Sequence, residues 1–183
     1  MTSNLGNMTP PPRSKKPARV NQSLLAFRVG IGNDLHPLAA GRKLILGGVH
    51  IPFEKGPVGH SDGDVLAHAI CDALLGAAAL GDIGRHFPNT SPQWKNASSL
   101  LFLRHVRVLL ADAGYAIVNV DSTVGLERPK LAPHIPRITR KLAAALGLKP
   151  QEVSVKAKSG EGLDAVGRGE AIRADAVALL RRL

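Results

Sequence analysis

Three side chains with metal-binding donors fall within 35 residues of one another: Asp34, His36 and His68, with the turn His60-Ser61-Asp62-Gly63-Asp64 between them. Two imidazole nitrogens and a carboxylate oxygen suit tetrahedral zinc. Three protein ligands leave a fourth position open, as a catalytic or substrate-binding metal requires. Each residue also has an ordinary reading when taken alone. A single helix histidine is commonly packed or solvated, and Ser61 or Asp62 ahead of a helix is everyday capping chemistry. Spacing gives ligand types but no ligand distances.

The elements around these residues must bring them together. Phe27 to His36 alternates and carries glycines, which predicts a strand running into a loop, with Asp34 and His36 on one side because residues two apart share a face. From Asp64 to Leu80, residues Val65, Ala69, Ile70, Ala73 and Leu74 recur at helical spacing, with Asp64, His68 and Asp72 four apart on another face. His68 then leans from a rigid helix toward the strand end, and Asp64 or Asp72 is placed to orient its ring.

Further strands are predicted at Leu25 to Gly32, Lys43 to Ile51, Ile117 to Val124 and Glu152 to Lys158. Further helices are predicted at Ser98 to Asp112, Ile135 to Leu146 and Gly169 to Leu180, the last with Ile172, Ala176, Leu179 and Leu180 at core spacing. The alternation argues an α/β (α+β) class, a mixed four-stranded sheet with helices covering one face.

The chain has 183 residues, 44% of them hydrophobic, enough for one core and one domain, residues 27–183. No apolar run approaches the roughly 18 residues of a membrane span. The single cysteine, Cys71, sits mid-helix among apolar residues, where a buried inert thiol is expected; with no intrachain disulfide open to it, the chain suits a reducing cytoplasm. Residues 1–26 differ: four prolines, Arg13, Lys15, Lys16 and Arg19, and no acid, which reads as a disordered tail. Its basic, acid-poor character leaves organellar targeting or a linker remnant open. The tail carries four of the ten net positive charges.

The remaining excess of +6 raises a nucleic-acid-binding domain as a competing class. Aromatic residues are only 3% of the chain, too few for a base-stacking surface. A zinc hydrolase activating water at the open position is the other alternative. Against it, no general base is placed by motif, and Glu161 lies 93 residues beyond His68.

Six segments carry a resemblance: GIGNDLH ending at His36, LGGVHIP from Leu46 to Pro52, HSDGDVLAH from His60 to His68, DALLGAAALGDIG from Asp72 to Gly84, RPKLAPHIP from Arg128 to Pro136, and GRGEAI from Gly167 to Ile172. In this order and without large gaps they resemble the 2-C-methyl-D-erythritol 2,4-cyclodiphosphate synthases of the non-mevalonate isoprenoid pathway, from about Phe27 onward. The resemblance implies a cyclase acting on 4-diphosphocytidyl-2-C-methyl-D-erythritol 2-phosphate, whose own 2-phosphate attacks the β-phosphorus and expels CMP. No protein nucleophile is needed, and positioning and charge neutralisation carry the rate.

By the same resemblance, Asp34, His36 and His68 hold zinc or another divalent transition metal, and Glu161 holds a second ion, magnesium or manganese. His60 and Ser61 contact phosphate beside a helix N-terminus. Asp82, Ile83 and Gly84, with Phe87 and Asn89, hold the methylerythritol end. Leu126, Pro129, Lys130, Leu131, Ala132, Ala157 and Lys158 line the cytidine side, Ser159 stabilises the transition state, and Arg168 lies near the diphosphate or a threefold cavity. The resemblance also implies a homotrimer with sheets facing the threefold axis and active sites shared between neighbours. Three places depart from the family pattern: Asn33 stands for an aromatic, Asn89 for an aspartate, and Lys158-Ser159-Gly160 for a threonine-rich run.

Overall fold

The computed structural model describes residues 26–183. The expected basic tail and the predicted strand start at Leu25 lie outside the described residues, apart from Ala26. The chain runs β1 (Phe27–Ala40), β2 (Leu44–Leu46), β3 (Val49–Ile51), β4 (Lys55–Pro57), α1 (Val65–Ala77), α2 (Ile83–His86), α3 (Ser99–Asp112), β5 (Tyr115–Gly125), α4 (Ile135–Leu146), β6 (Val153–Lys158), α5 (Asp164–Gly167) and β7 (Ala171–Arg182).

Five strands form a mixed sheet in the order β4-β1-β7-β5-β6, all neighbours antiparallel except β5 and β6. The expected four strands become five, and the difference lies in three places. Lys43 to Ile51 is not one strand but the separate hairpin β2–β3, turned by Gly47 and Gly48 with φ of 53° and 68°. Two consecutive glycines at positive φ are the chemistry of a tight hairpin turn. The short β4 pairs the end of β1. The predicted last helix, Gly169 to Leu180, is the strand β7.

In β7 the buried residues Ile172, Ala174, Ala176, Ala178 and Leu180 alternate with Arg173, Asp175, Val177 and Leu179. That is period two. Its alanines favour a helix locally, but β1 and β5 offer a ladder on each side, and tertiary pairing overrides propensity. Small side chains there also leave room for α1, which lies across β1 and β7.

All the long helices cover one face, with Leu66, Ile70 and Leu74 of α1 packed among Phe102, Leu103, Ile138 and Leu142. On β1 the face toward α1 carries Gly30 and Gly32. A Cβ at Gly30 would run into the carbonyl oxygen of Ala73, and one at Gly32 into that of Ala69. The helix therefore lies directly on the strand backbone, which is where a strand glycine has a positional use. The next residues on that face are Asp34 and His36. The opposite face exposes Phe27, Val29, Ile31 and Leu35, with Ile31 74% accessible.

Asp64 caps α1, its Oδ1 accepting from Ala67 N at 3.1 Å. Fully buried, it also accepts from Gly47 N at 3.0 Å and Gly48 N at 2.7 Å, tying the helix start to the β2–β3 turn. Burial first, and the nearby Asp62 carboxylate second, push its carboxyl up to about 6, against the pull of the three amides. Asp64→Asn should cost about 2–4 kcal/mol, because an amide NH2 replaces an acceptor that faces a buried N–H. Urea midpoints of the two proteins check this; equal midpoints would remove Asp64 as a structural tie.

Candidate metal centre and active site

The close approach of α1 to β1 brings His68 against the strand. Oδ2 of Asp34 lies 2.9 Å from His36 Nε2 and 2.8 Å from His68 Nδ1, and one donor atom from each of the three residues lies within 4.8 Å of the others. β1 continues as a strand through this point rather than opening into the expected loop, so Asp34 and His36 sit on a ladder, paired with Ala174 and Ile172.

The tautomer of His36 follows from its other nitrogen. Nδ1 lies 2.7 Å from the carbonyl oxygen of Val58, which only accepts, so the ring donates there; Nε2 donates to Asp34 when the ring is protonated and carries the lone pair when it is neutral. Burial of Asp34 raises its carboxyl, but hydrogen bonds and charge from His36 and His68 outweigh it and hold the group well below the usual carboxylate range. His36 is raised, chiefly by its hydrogen bond to Asp34 and against the effect of burial. An anionic oxygen and inward-facing imidazole nitrogens form a donor set that fits a divalent transition metal.

These residues stand at a cleft of about 670 Å³ lined also by His60, Ser61, Ile83, Gly84, Phe87 and Asn89. Its apolar side is a cluster the sequence reading missed: Phe87 stacks on Phe102 at 4.5 Å between centroids, and Trp94 meets both edge-on at 5.2 and 5.5 Å. Phe87 was expected at the site, whereas Trp94 and Phe102 carry no signal in sequence beyond their apolar type, and only the packing turns them to the cleft. His60 is exposed, its Nε2 3.3 Å from the Ser91 carbonyl. Ile83 and Gly84 face the cleft, whereas Asp82 caps α2 by accepting from Arg85 N at 2.9 Å.

Neither Asp64 nor Asp72 orients His68. Asp64 is turned back as a cap, and Asp72 accepts from Ile83 N at 2.7 Å, anchoring the loop at the cleft edge. The carboxyl of Asp72 is raised, mainly by burial. His68 Nε2 instead meets Ser99 Oγ at 2.9 Å and Ser61 Oγ at 3.1 Å. The only sequence hint of Ser99 was a serine at a helix start, which reads as capping.

The other predicted residues lie elsewhere on the chain. Leu126, Pro129, Lys130, Leu131, Ala132, Ala157, Lys158, Ser159 and Glu161 line a second cavity of about 460 Å³. There Ser159 donates a hydrogen bond to the Glu161 carboxylate, and Gly160 N donates to Glu127 at 3.0 Å. Arg168 borders neither cavity: it lines a third, with Lys55 and Arg128, and pairs with Glu170 at 3.0 Å.

Residues 27–181 match the model of the YgbB family. A 2-C-methyl-D-erythritol 2,4-cyclodiphosphate synthase from Nitrosospira multiformis is 55% identical over 157 residues, 86% of this chain and 89% of that protein. The chain belongs to the YgbB family of 2-C-methyl-D-erythritol 2,4-cyclodiphosphate synthases. Solved structures of the family agree in fold. One such synthase with CDP bound is 40% identical, with a TM-score of 0.78, covering 84% of this chain and 99% of that one. A CDP complex from Plasmodium falciparum is 34% identical, with a TM-score of 0.76, over 86% and 97% of the two chains. Family membership and the geometry meet at the same place, since GIGNDLH and HSDGDVLAH supply Asp34, His36 and His68, DALLGAAALGDIG supplies Ile83 and Gly84 at the cleft, and RPKLAPHIP supplies Pro129 to Ala132 in the second cavity. Among the described residues no helix is long and apolar enough to cross a membrane.

Proposed function

We infer that this chain cyclises 4-diphosphocytidyl-2-C-methyl-D-erythritol 2-phosphate. A 2-phosphate oxygen forms a bond to the β-phosphorus, the bond from that phosphorus to the cytidine phosphate breaks, and CMP leaves with the electron pair. The observation that carries this reading is the convergence of Asp34, His36 and His68 at a cleft in a chain of this family. A divalent metal held by these three, zinc by donor type, and a magnesium or manganese held through Glu161, would neutralise and orient the diphosphate as attacker and target, both anionic, approach.

The residues of the chain do the positioning. His60 and Ser61 are placed to bind phosphate at the cleft mouth, and Ile83, Gly84, Phe87 and Asn89 to hold the methylerythritol end, with Asp82 fixing the turn that presents them. In the second cavity Leu126, Pro129, Leu131, Ala132 and Ala157 would take the cytidine, with Lys130 and Lys158 as cations and the Ser159 hydroxyl toward the phosphates. Arg168 is proposed to act near the diphosphate or the threefold axis.

The cleft and the second cavity are separate on one protomer, and a homotrimer would join one subunit's cleft to its neighbour's cavity. The bare apolar face of β1 supports this, since a contiguous exposed apolar patch marks an interaction surface. Buried Cys71 suits a cytoplasmic location.

Glu161→Gln should raise the magnesium requirement about tenfold while leaving zinc content unchanged, because a neutral amide is a poorer ligand for a hard ion. An unaltered magnesium titration would count against Glu161. The reading itself is tested by incubating the protein with the substrate and magnesium, with and without a zinc chelator. CMP and cyclic diphosphate in equal amounts, lost on chelation, are expected; hydrolysis to an open product would overturn it.

A further inference from the structure

Behind His68, on the side away from Asp34, lies a polar pair that the mechanism above leaves unused. Ser99 opens α3 and is completely buried. Its hydroxyl donates to Asp62 Oδ1, and its oxygen lies 2.9 Å from His68 Nε2. Asp62 is itself held in place, Oδ2 accepting from Ser99 N at 3.0 Å and Oδ1 from Asp64 N at 3.3 Å.

A serine hydroxyl has one proton, and a carboxylate only accepts. With that proton given to Asp62, the lone pairs of Ser99 face Nε2, so the ring must supply the hydrogen of that bond. Ser61 Oγ, 3.1 Å from Nε2, is a second acceptor for the same hydrogen. In the neutral ring Nδ1 is then the nitrogen that carries the lone pair, and it lies 2.8 Å from Asp34 Oδ2. The Val58 carbonyl imposes the same condition on His36 from the other side of the cluster. In their neutral forms the two imidazoles therefore present lone pairs toward the oxygen of one carboxylate, an arrangement that a bound cation satisfies.

We propose that Ser99 and Asp62 are positioning residues, a carboxylate–hydroxyl pair that holds His68 in its Nε2–H form and aims Nδ1 at the metal point. The inference rests on the metal reading of Asp34, His36 and His68. Partners of this kind fix the orientation and raise the basicity of a ligating histidine, and their loss typically weakens metal affinity about 10- to 100-fold. Ser99 is the position to test, because Asp62 also accepts two backbone amides and its replacement would loosen α3 directly.

Zinc affinity of the full chain, measured by competition with a chromophoric chelator, should fall about 10- to 100-fold in Ser99→Ala. Ser99→Thr, which keeps the hydroxyl, should recover affinity to within about threefold of wild type, and melting temperatures report folding separately. In the zinc-bound wild-type protein, nitrogen-15 spectra should show His68 with its proton on Nε2. Equal affinity in Ser99→Ala, or a proton on Nδ1, would overturn the proposal. Should Ser99→Ala fail to fold, the wild-type spectrum decides alone. A wild-type chain that takes up no zinc overturns the metal reading itself, whereas zinc bound equally well without the Ser99 hydroxyl overturns only this pair.

Discussion

His36→Ala should leave a folded protein that retains little zinc and turns over at least about 10³-fold more slowly, the scale expected when charge stabilisation at the reacting centre is lost. The methyl group of alanine offers no lone pair, and a three-ligand site reduced to Asp34 and His68 falls below the set that holds a catalytic zinc. Folding should survive because His36 sits at the cleft edge rather than in the core, and the strand register around it comes from backbone pairing with β7. Elemental analysis of the purified variant, with CMP release at saturating magnesium, checks both parts. Wild-type zinc content together with wild-type turnover would remove His36 from the site. A melting temperature that falls by more than a few degrees would show that the residue holds β1 to β4 through its hydrogen bond to Val58 rather than acting on a metal.

Ile31→Asp should convert the proposed trimer into monomers and reduce turnover by more than about 10²-fold. Ile31 is 74% exposed on the protomer and stands between Val29 and Leu35 on the bare face of β1. Each copy would bring an unpaired carboxylate into an apolar contact, where burial of an unpartnered charge costs several kcal/mol. The loss of activity follows from position, since the residues proposed for zinc and those proposed for cytidine and magnesium line different cavities of one protomer. Held apart, they forfeit the effective concentration that an assembled site provides. Sedimentation velocity and CMP release on the same preparation test the link. A fully active monomer would sink the shared-site reading, and a trimer unaffected by the aspartate would move the interface off this face.

The contrast between β7 and β1 shows where sequence reasoning reaches its limit. GIGNDLH declares a strand because glycines and alternation mark it, and its even positions put Asp34 and His36 together without further information. EAIRADAVALL is written almost as clearly in period two, yet its alanines and one favourable i, i+4 reading point to a helix. The correct state depends on β1 and β5 lying on either side, which no local window contains. The Gly47-Gly48 turn was legible as a hairpin signal, and reading across it merged two strands into one.

Residue types and spacing marked Asp34, His36 and His68 as candidate metal ligands and laid out the helices α1, α3 and α4, and the ordered motifs carried the resemblance to the family and so the expected chemistry. These are properties of local pattern, in which donor type, period and motif order stay visible along the chain. Tertiary structure alone decided the rest. It seated α1 on Gly30 and Gly32 so that Asp34, His36 and His68 meet, turned Asp64 away to the β2–β3 turn, put Ser99 and Asp62 behind His68, and split the predicted site among three cavities. Each of these depends on contacts between residues far apart in sequence, and a hydrogen bond spanning 31 residues, such as that from His68 to Ser99, leaves no periodic trace in the chain.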